Sequence, residues 1–136
     1  MPTLGLVVAQ FNRSVTADIE QVSGEAADEL GATIAATVPV PGAYDSPLAA
    51  DRLAPDTDID AVVVLGAIVT GDTDHDHVIA TSLAQRLSDV SLERDTPVTL
   101  GVTGPGMSGA ESPGAVSNAA DAVEAAIDLL EDLPDS

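Results

Sequence analysis

Ala61-Val62-Val63-Val64-Leu65-Gly66-Ala67-Ile68 decides the fold, because this segment carries no charge, no polar side chain and no proline, and is rich in β-branched valine. A run this short and this apolar reads as a strand buried on both faces, and such strands belong to parallel sheets covered by helices. Outward from it lie three comparable runs, Leu4 to Ala9 (LGLVVA), Thr33 to Val38 (TIAATV) and Pro97 to Val102 (PVTLGV). The segments between them have helical periodicity. A first helix is expected from about Thr16 to Leu30, with Ile19, Val22, Ala26 and Leu30 on one face and Gly31 as its stop. A second starts at Ser46-Pro47, an N-cap followed by proline in the first turn, and ends near Leu53. A third covers about Asp74 to Asp89 with Val78, Ile79, Leu83 and Leu87 inward, and a fourth about Val116 to Leu133 with Val116, Ala120, Val123, Ile127 and Leu130 inward.

Strand and helix alternating four times require right-handed crossovers between parallel strands. The expected architecture is a three-layer α/β sandwich, a four-stranded parallel sheet with helices on both faces, formed by residues 1–136 as a single domain.

Composition narrows the function. The chain carries 23 Asp and Glu against four Lys and Arg, a formal charge of -19. The four cations are Arg13, Arg52, Arg86 and Arg94, and lysine is absent. Nucleic acid and anionic membranes are therefore excluded as partners. The acidic residues are spread along the whole sequence, so the surface itself is acidic, a composition that resembles proteins of salt-loving archaea. No cysteine is present, which removes disulfides, thiolate catalysis and iron-sulfur clusters. Neither a membrane span nor a signal peptide is legible, and the expected location is the cytoplasm.

In an open parallel sheet ligands bind beyond the carboxyl ends of the strands, and the unusual residues fall there. Phe11-Asn12 follows the first strand, Pro41-Gly42-Ala43-Tyr44-Asp45 the second, Gly71-Asp72-Thr73-Asp74-His75 the third and Gly104-Pro105-Gly106-Met107 the fourth. With one Phe and one Tyr in the chain, their placement at strand ends suits stacking on a planar ligand, or else plugging the end of the sheet. Gly71-Asp72-Thr73 precedes a helix, where free N–H groups and the helix dipole favour an anion; the alternative is an ordinary Asp or Thr cap. His75 falls in the first helical turn, where the dipole disfavours an imidazolium, whereas Asp72, Asp74 and Asp76 favour one. His75 and His77 point to nearly opposite sides of a helix and do not make a metal site. The G-x-G-x-x-G pattern at 104–109 follows the last strand and not the first, so it is not read as a dinucleotide fingerprint.

Together, Val8-Ala9-Gln10-Phe11-Asn12, Val40 through Ala49 (VPGAYDSPLA), Leu65 through His75 (LGAIVTGDTDH) and Val98-Thr99-Leu100-Gly101-Val102 resemble the lumazine synthase family, its archaeal branch in particular, over about residues 3 to 131. The resemblance implies an enzyme of riboflavin biosynthesis that condenses 5-amino-6-(ribitylamino)uracil with 3,4-dihydroxy-2-butanone 4-phosphate, releasing phosphate and water, with no metal or redox cofactor. It implies that Phe11 stacks on the pyrimidine, that Asn12, Ala43, Tyr44 and Asp45 hold the ribityl chain and ring substituents, and that Ile68 and Val69 line the uracil pocket. Gly71, Asp72 and Thr73 would receive the phosphate, and His75 would be the catalytic proton shuttle. It also implies a homo-oligomer, a pentamer that in some members assembles further into a hollow shell, with each site between neighbouring subunits and Leu100 reaching across from the partner. The family places a phosphate-binding Arg before the last helix, but Glu111 to Ala120 contains no basic residue. Arg13, or a bound salt cation, is the expected substitute. The alternative is a catalytically impaired homologue that binds flavin-like ligands or serves as a non-catalytic shell protein.

Overall fold

The valine run forms the central strand β3 (Ala61–Ala67), every residue of which is buried. A computed structural model describes residues 1–11, 13–68, 75–103 and 112–134, with side chains at all of these except 75–77, 103 and 112–114. In chain order the elements are β1 (Thr3–Ala9), α1 (Arg13–Glu29), β2 (Thr33–Val40), a 3-10 turn (Ala43–Asp45), α2 (Ser46–Leu53), β3, α3 (His75–Arg94), β4 (Val98–Thr103) and α4 (Ser112–Asp132). The four strands make one sheet in the order β2-β1-β3-β4, and each neighbouring pair is parallel. Helices α1 and α4 cover one face and α2 and α3 the other, so the expected three-layer α/β sandwich is what the chain forms.

Alternation of side chains along the strands divides the core. Leu4, Leu6, Val8, Val63 and Leu65 pack beneath α1 and α4, whereas Val7, Ala9, Val62 and Val64 pack beneath α2 and α3. The α1/α4 layer is built on small residues, Ala27, Ala115, Ala119, Ala122 and Ala126, which let the helices sit close to the sheet.

Several sequence expectations shift. The buried stripe of α1 is Val15, Thr16, Ile19, Ser23 and Ala27, not Ile19-Val22-Ala26-Leu30. Ser23 is tolerated inside because its hydroxyl donates to the Ile19 carbonyl at 2.7 Å. Val22 and Ala26 flank the stripe half-buried, and Leu30 lies past the helix end, 46% exposed. Gly31 does stop the helix, at φ 77°, a left-handed conformation that costs glycine little. Helix α3 extends five residues beyond its expected end, to Arg94, because Val90 adds another buried turn to Ile79, Leu83 and Leu87. Asp95 closes it at φ 52°. Val78 was expected inward but is 62% exposed, one residue off that stripe. Asp45 occupies the N-cap position of α2, without a side-chain capping bond, so Ser46 lies inside the first turn and does not cap it.

Strand β2 is an edge strand and not one buried on both faces: Thr33, Ala35, Thr37 and Pro39 alternate with half-buried neighbours as exposed positions. A register shift opposite Leu4 and Gly5 leaves Ala35 as an extra residue. At its end the Val40 carbonyl accepts from the Gln10 N–H at 2.8 Å. Among the described residues no helix is long and apolar enough to cross a membrane.

Candidate active site

The carboxyl ends of β1 and β2 finish side by side. Beyond the Gln10 to Val40 bond, the Phe11 N–H donates to the Pro41 carbonyl at 3.1 Å, which sets Phe11 beside the turn that follows β2. That turn is closed twice: the Asp45 N–H donates to the Gly42 carbonyl at 3.0 Å, and the Asp45 carboxylate accepts from the Gly42 N–H, also at 3.0 Å. Reciprocal bonding of this kind holds Tyr44 at the apex of a rigid turn. Both rings stand out from the protein, Phe11 63% and Tyr44 67% exposed, so neither plugs the end of the sheet.

The residues at the base of this edge are apolar and buried. Ala43 and Ile68 belong to one buried cluster with Ala9 and Val40, so sequence positions far apart meet under the same edge. Small and branched side chains supply flat, water-excluding walls of the sort that planar ligands need. Phe11, Ala43, Tyr44, Asp45 and Ile68 are thus brought together. Asn12, Val69, Gly71, Asp72 and Thr73 lie outside the described residues, as does the G-x-G-x-x-G segment. His75 is the first residue of α3, whose start is also at this end of the sheet; its side chain lies outside the described set.

Leu100 is not at this edge. It pairs with Val64, whereas Val8 pairs with Leu65, so Phe11 lies four residues further along the strand direction. With about 3.3 Å of rise per residue and about 4.8 Å between strands, Leu100 is roughly 13 Å down and 10 Å across from Phe11. It is nevertheless 44% exposed, on the face covered by α2 and α3.

Arg13 opens α1 and turns away from the edge. Its Nη1 donates to Glu20 Oε1 at 3.1 Å, with the side chains 50% and 36% exposed. Glu20 is two helical turns further from the strand ends, about 10 Å along the axis. The groove beside this pair, lined by Arg13, Glu20, Gly24, Asp28, Thr33 and Ile34, runs down the flank of the sheet and is acidic. Of the remaining cations, Arg94 is held by Asp51 at 3.0 Å and Arg86 lies 3.7 Å from Asp89.

Two features at this end were not legible in the sequence. Leu48, in the first turn of α2, is 62% exposed, and Tyr44 and Val78 are exposed as well. The hydroxyls of Thr16 and Ser46 are buried with no hydrogen-bond partner among the described residues, and both belong to the first turns of helices that start at this end.

Comparison with known proteins gives one result throughout. Residues 2–133 match the family described as 6,7-dimethyl-8-ribityllumazine synthase. A protein of that name from Halobacterium salinarum strain R1 is 66% identical over 133 residues, 98% of this chain and all of the relative. One from Halorubrum lacusprofundi is 63% identical over 98% of this chain and 99% of its own length. One from Methanocaldococcus jannaschii is 41% identical over 98% of this chain and 94% of its own.

Proposed function

The chain belongs to the 6,7-dimethyl-8-ribityllumazine synthase family, and from that premise we propose how the residues at the carboxyl edge of its sheet carry the reaction. The activity is that of a transferase in riboflavin biosynthesis: 5-amino-6-(ribitylamino)uracil condenses with 3,4-dihydroxy-2-butanone 4-phosphate to give 6,7-dimethyl-8-ribityllumazine, phosphate and water. The chemistry comprises imine formation, elimination of phosphate and ring closure.

The observation that carries the site assignment is that the chain's sole Phe and sole Tyr are both exposed at one sheet edge, Phe11 bonded to Pro41 at the start of the turn that carries Tyr44, with Ala43 of that turn buried in one cluster with Ile68. Phe11 stacks on the pyrimidine. Asn12, Ala43, Tyr44 and Asp45 hold the ribityl chain and ring substituents; the second carboxylate oxygen of Asp45 is the natural acceptor for a hydroxyl, since Oδ2 is engaged by Gly42. Ile68 and Val69 wall the uracil. Gly71, Asp72 and Thr73 offer backbone N–H groups to the phosphate ahead of α3, and His75 transfers protons between the amine, the carbonyl oxygen and the leaving water. Holding an amine that is already nucleophilic against a ketone supplies much of the rate.

Arg13 completes the phosphate site by exchanging Glu20 for the substrate. An exposed ion pair is worth about 0.2–1 kcal/mol, so a phosphate dianion competes with it readily. The long separation of Leu100 from Phe11 supports a site shared between subunits, in which Leu100 serves a neighbouring copy within a pentamer. At molar salt, where the Debye length is about 3 Å, subunits of such charge approach without repulsion; the composition and the halophilic relatives support a cytoplasmic protein adapted to that medium, working as one domain.

The decisive experiment mixes the purified protein with both substrates in molar salt and follows lumazine absorbance and phosphate release. Turnover is expected, with Arg13→Ala raising KM for the phosphosugar far more than for the uracil. Uracil binding without turnover would return the protein to the class of ligand-binding homologues.

A further inference from the structure

Leu100 is 44% exposed on edge strand β4, on the face that α2 and α3 cover. The other face of β4 is different. Thr99, paired with Val63, is only 9% exposed, and its hydroxyl donates to the Ala122 carbonyl inside α4 at 2.8 Å. Gly101, paired with Leu65, lies so close to the helix that an added Cβ would stand 2.9 Å from Leu65 Cδ2, 3.1 Å from Ala122 Cβ and 3.3 Å from Ala119 Cα. Helix α4 therefore rests directly on the strand backbone at 101 and is bonded to it at 99.

Stability alone does not call for this arrangement. A valine at 99 would fill the same volume against the alanines of α4, and the Ala122 carbonyl lies inside that helix, where the backbone also supplies a donor, so the bond adds at most the modest net stability of a single hydrogen bond. What the hydroxyl adds is register: the bond names one carbonyl of one turn, and so prevents β4 from sliding or twisting under α4. An edge strand has a partner on one side only, so this restraint replaces the missing neighbour.

We propose that Thr99 is a positioning residue for the condensation, its hydroxyl acting with the bare Gly101 to clamp β4 to α4 and so to hold Leu100, between them on the opposite face, at a fixed height and angle. The proposal rests on the reading that Leu100 walls the uracil pocket of a neighbouring copy. The clamp makes that wall rigid before the substrate arrives, which is the condition for a contact to contribute its full binding energy.

Thr99→Val, Thr99→Ser, Leu100→Ala and the Thr99→Val/Leu100→Ala double variant test it, with KM for each substrate, kcat and the unfolding midpoint measured in molar salt. Valine is isosteric and favours strands, so the fold is retained. Thr99→Val is expected to raise KM for the uracil about three- to tenfold, the worth of one hydrogen bond read as an equilibrium factor, with kcat and KM for the phosphosugar little changed. Serine restores the parental value, and in the Leu100→Ala background the valine adds nothing further. An unchanged uracil KM for Thr99→Val beside a raised one for Leu100→Ala would overturn the clamp and leave Leu100 in the site. If Leu100→Ala is itself neutral, the assignment of Leu100 falls and the clamp with it. A full additional effect of the valine in the Leu100→Ala background would show that Thr99 acts by another route, which also overturns the proposal.

Discussion

The two ends of the sheet are finished in opposite ways. At the amino end, Thr3 donates its N–H to Asp60 Oδ2 at 2.8 Å and accepts from the Asp60 N–H at 2.7 Å. Thr33 donates to the Pro2 carbonyl and Val62 to the Pro97 carbonyl, both at 2.9 Å. Ser91 bonds the Thr96 carbonyl at 2.9 Å, and Arg94 grips both oxygens of Asp51 at 3.0 and 3.2 Å. At the carboxyl end, two rings stand in solvent and two buried hydroxyls have no partner among the described residues. The amino end ties strands and helix ends to one another, whereas the carboxyl end closes its own turn and leaves its two rings exposed.

Substitutions at the two ends should therefore separate stability from binding. Phe11→Ala is expected to weaken binding of the ribitylamino-uracil by about 1–3 kcal/mol, the scale of base-aromatic stacking, measured by titration calorimetry. Its denaturation midpoint should stay put; a fall comparable to the binding loss would make Phe11 part of the scaffold and erase the contrast.

A smaller effect of opposite sign at the two ends tests the hydroxyls. Thr16→Val removes an orphan and should raise stability by about 1 kcal/mol, whereas Ser91→Ala removes a satisfied bond and should lower it by about as much. Denaturant midpoints in molar salt read both. Destabilisation by Thr16→Val would mean that its hydroxyl has found a partner, and the carboxyl end is less open than it looks.

The smallest expected effect is electrostatic. The hydrogen bond from Arg94, assisted by its charge, holds the Asp51 carboxyl below its ordinary value of 3.8. A carboxyl depressed on folding contributes stability at pH above that ordinary value and loses it as pH falls through the folded one. Asp51→Asn should thus be slightly less stable than the parent at neutral pH and converge with it in acid. Parallel stability curves down to strongly acid pH would show that the pair contributes nothing.

The sequence carried the fold because the fold rests on composition: an uncharged valine run has few places to go but the middle of a parallel sheet. It carried the helices less well where small residues face the core. Ser23 and Ala27 are buried in α1 although Val22 and Leu30 are the more hydrophobic neighbours, since what decides is how near a helix can lie. At the strand ends, Phe11 is bonded to the turn that carries Ala43, Tyr44 and Asp45, and Ala43 shares a buried cluster with Ile68, so these five positions lie at one edge as their motifs suggest. Two things depend on tertiary placement. The direction of Arg13 depends on Glu20, two turns away, and the distance between Leu100 and Phe11 depends on strand register; neither is a property of local pattern.

Edge strand β2 has one more consequence. Because the Val40 carbonyl faces β1, the backbone of Pro39, one residue back, faces the open side, and Pro39 has no N–H to offer there. Most proteins protect a bare strand edge with charge, but molar salt cancels that protection at a few ångströms. A missing donor is indifferent to ionic strength. At high ionic strength, where acidic chains repel one another less, an edge that lacks this donor still makes a poor template for a stray strand.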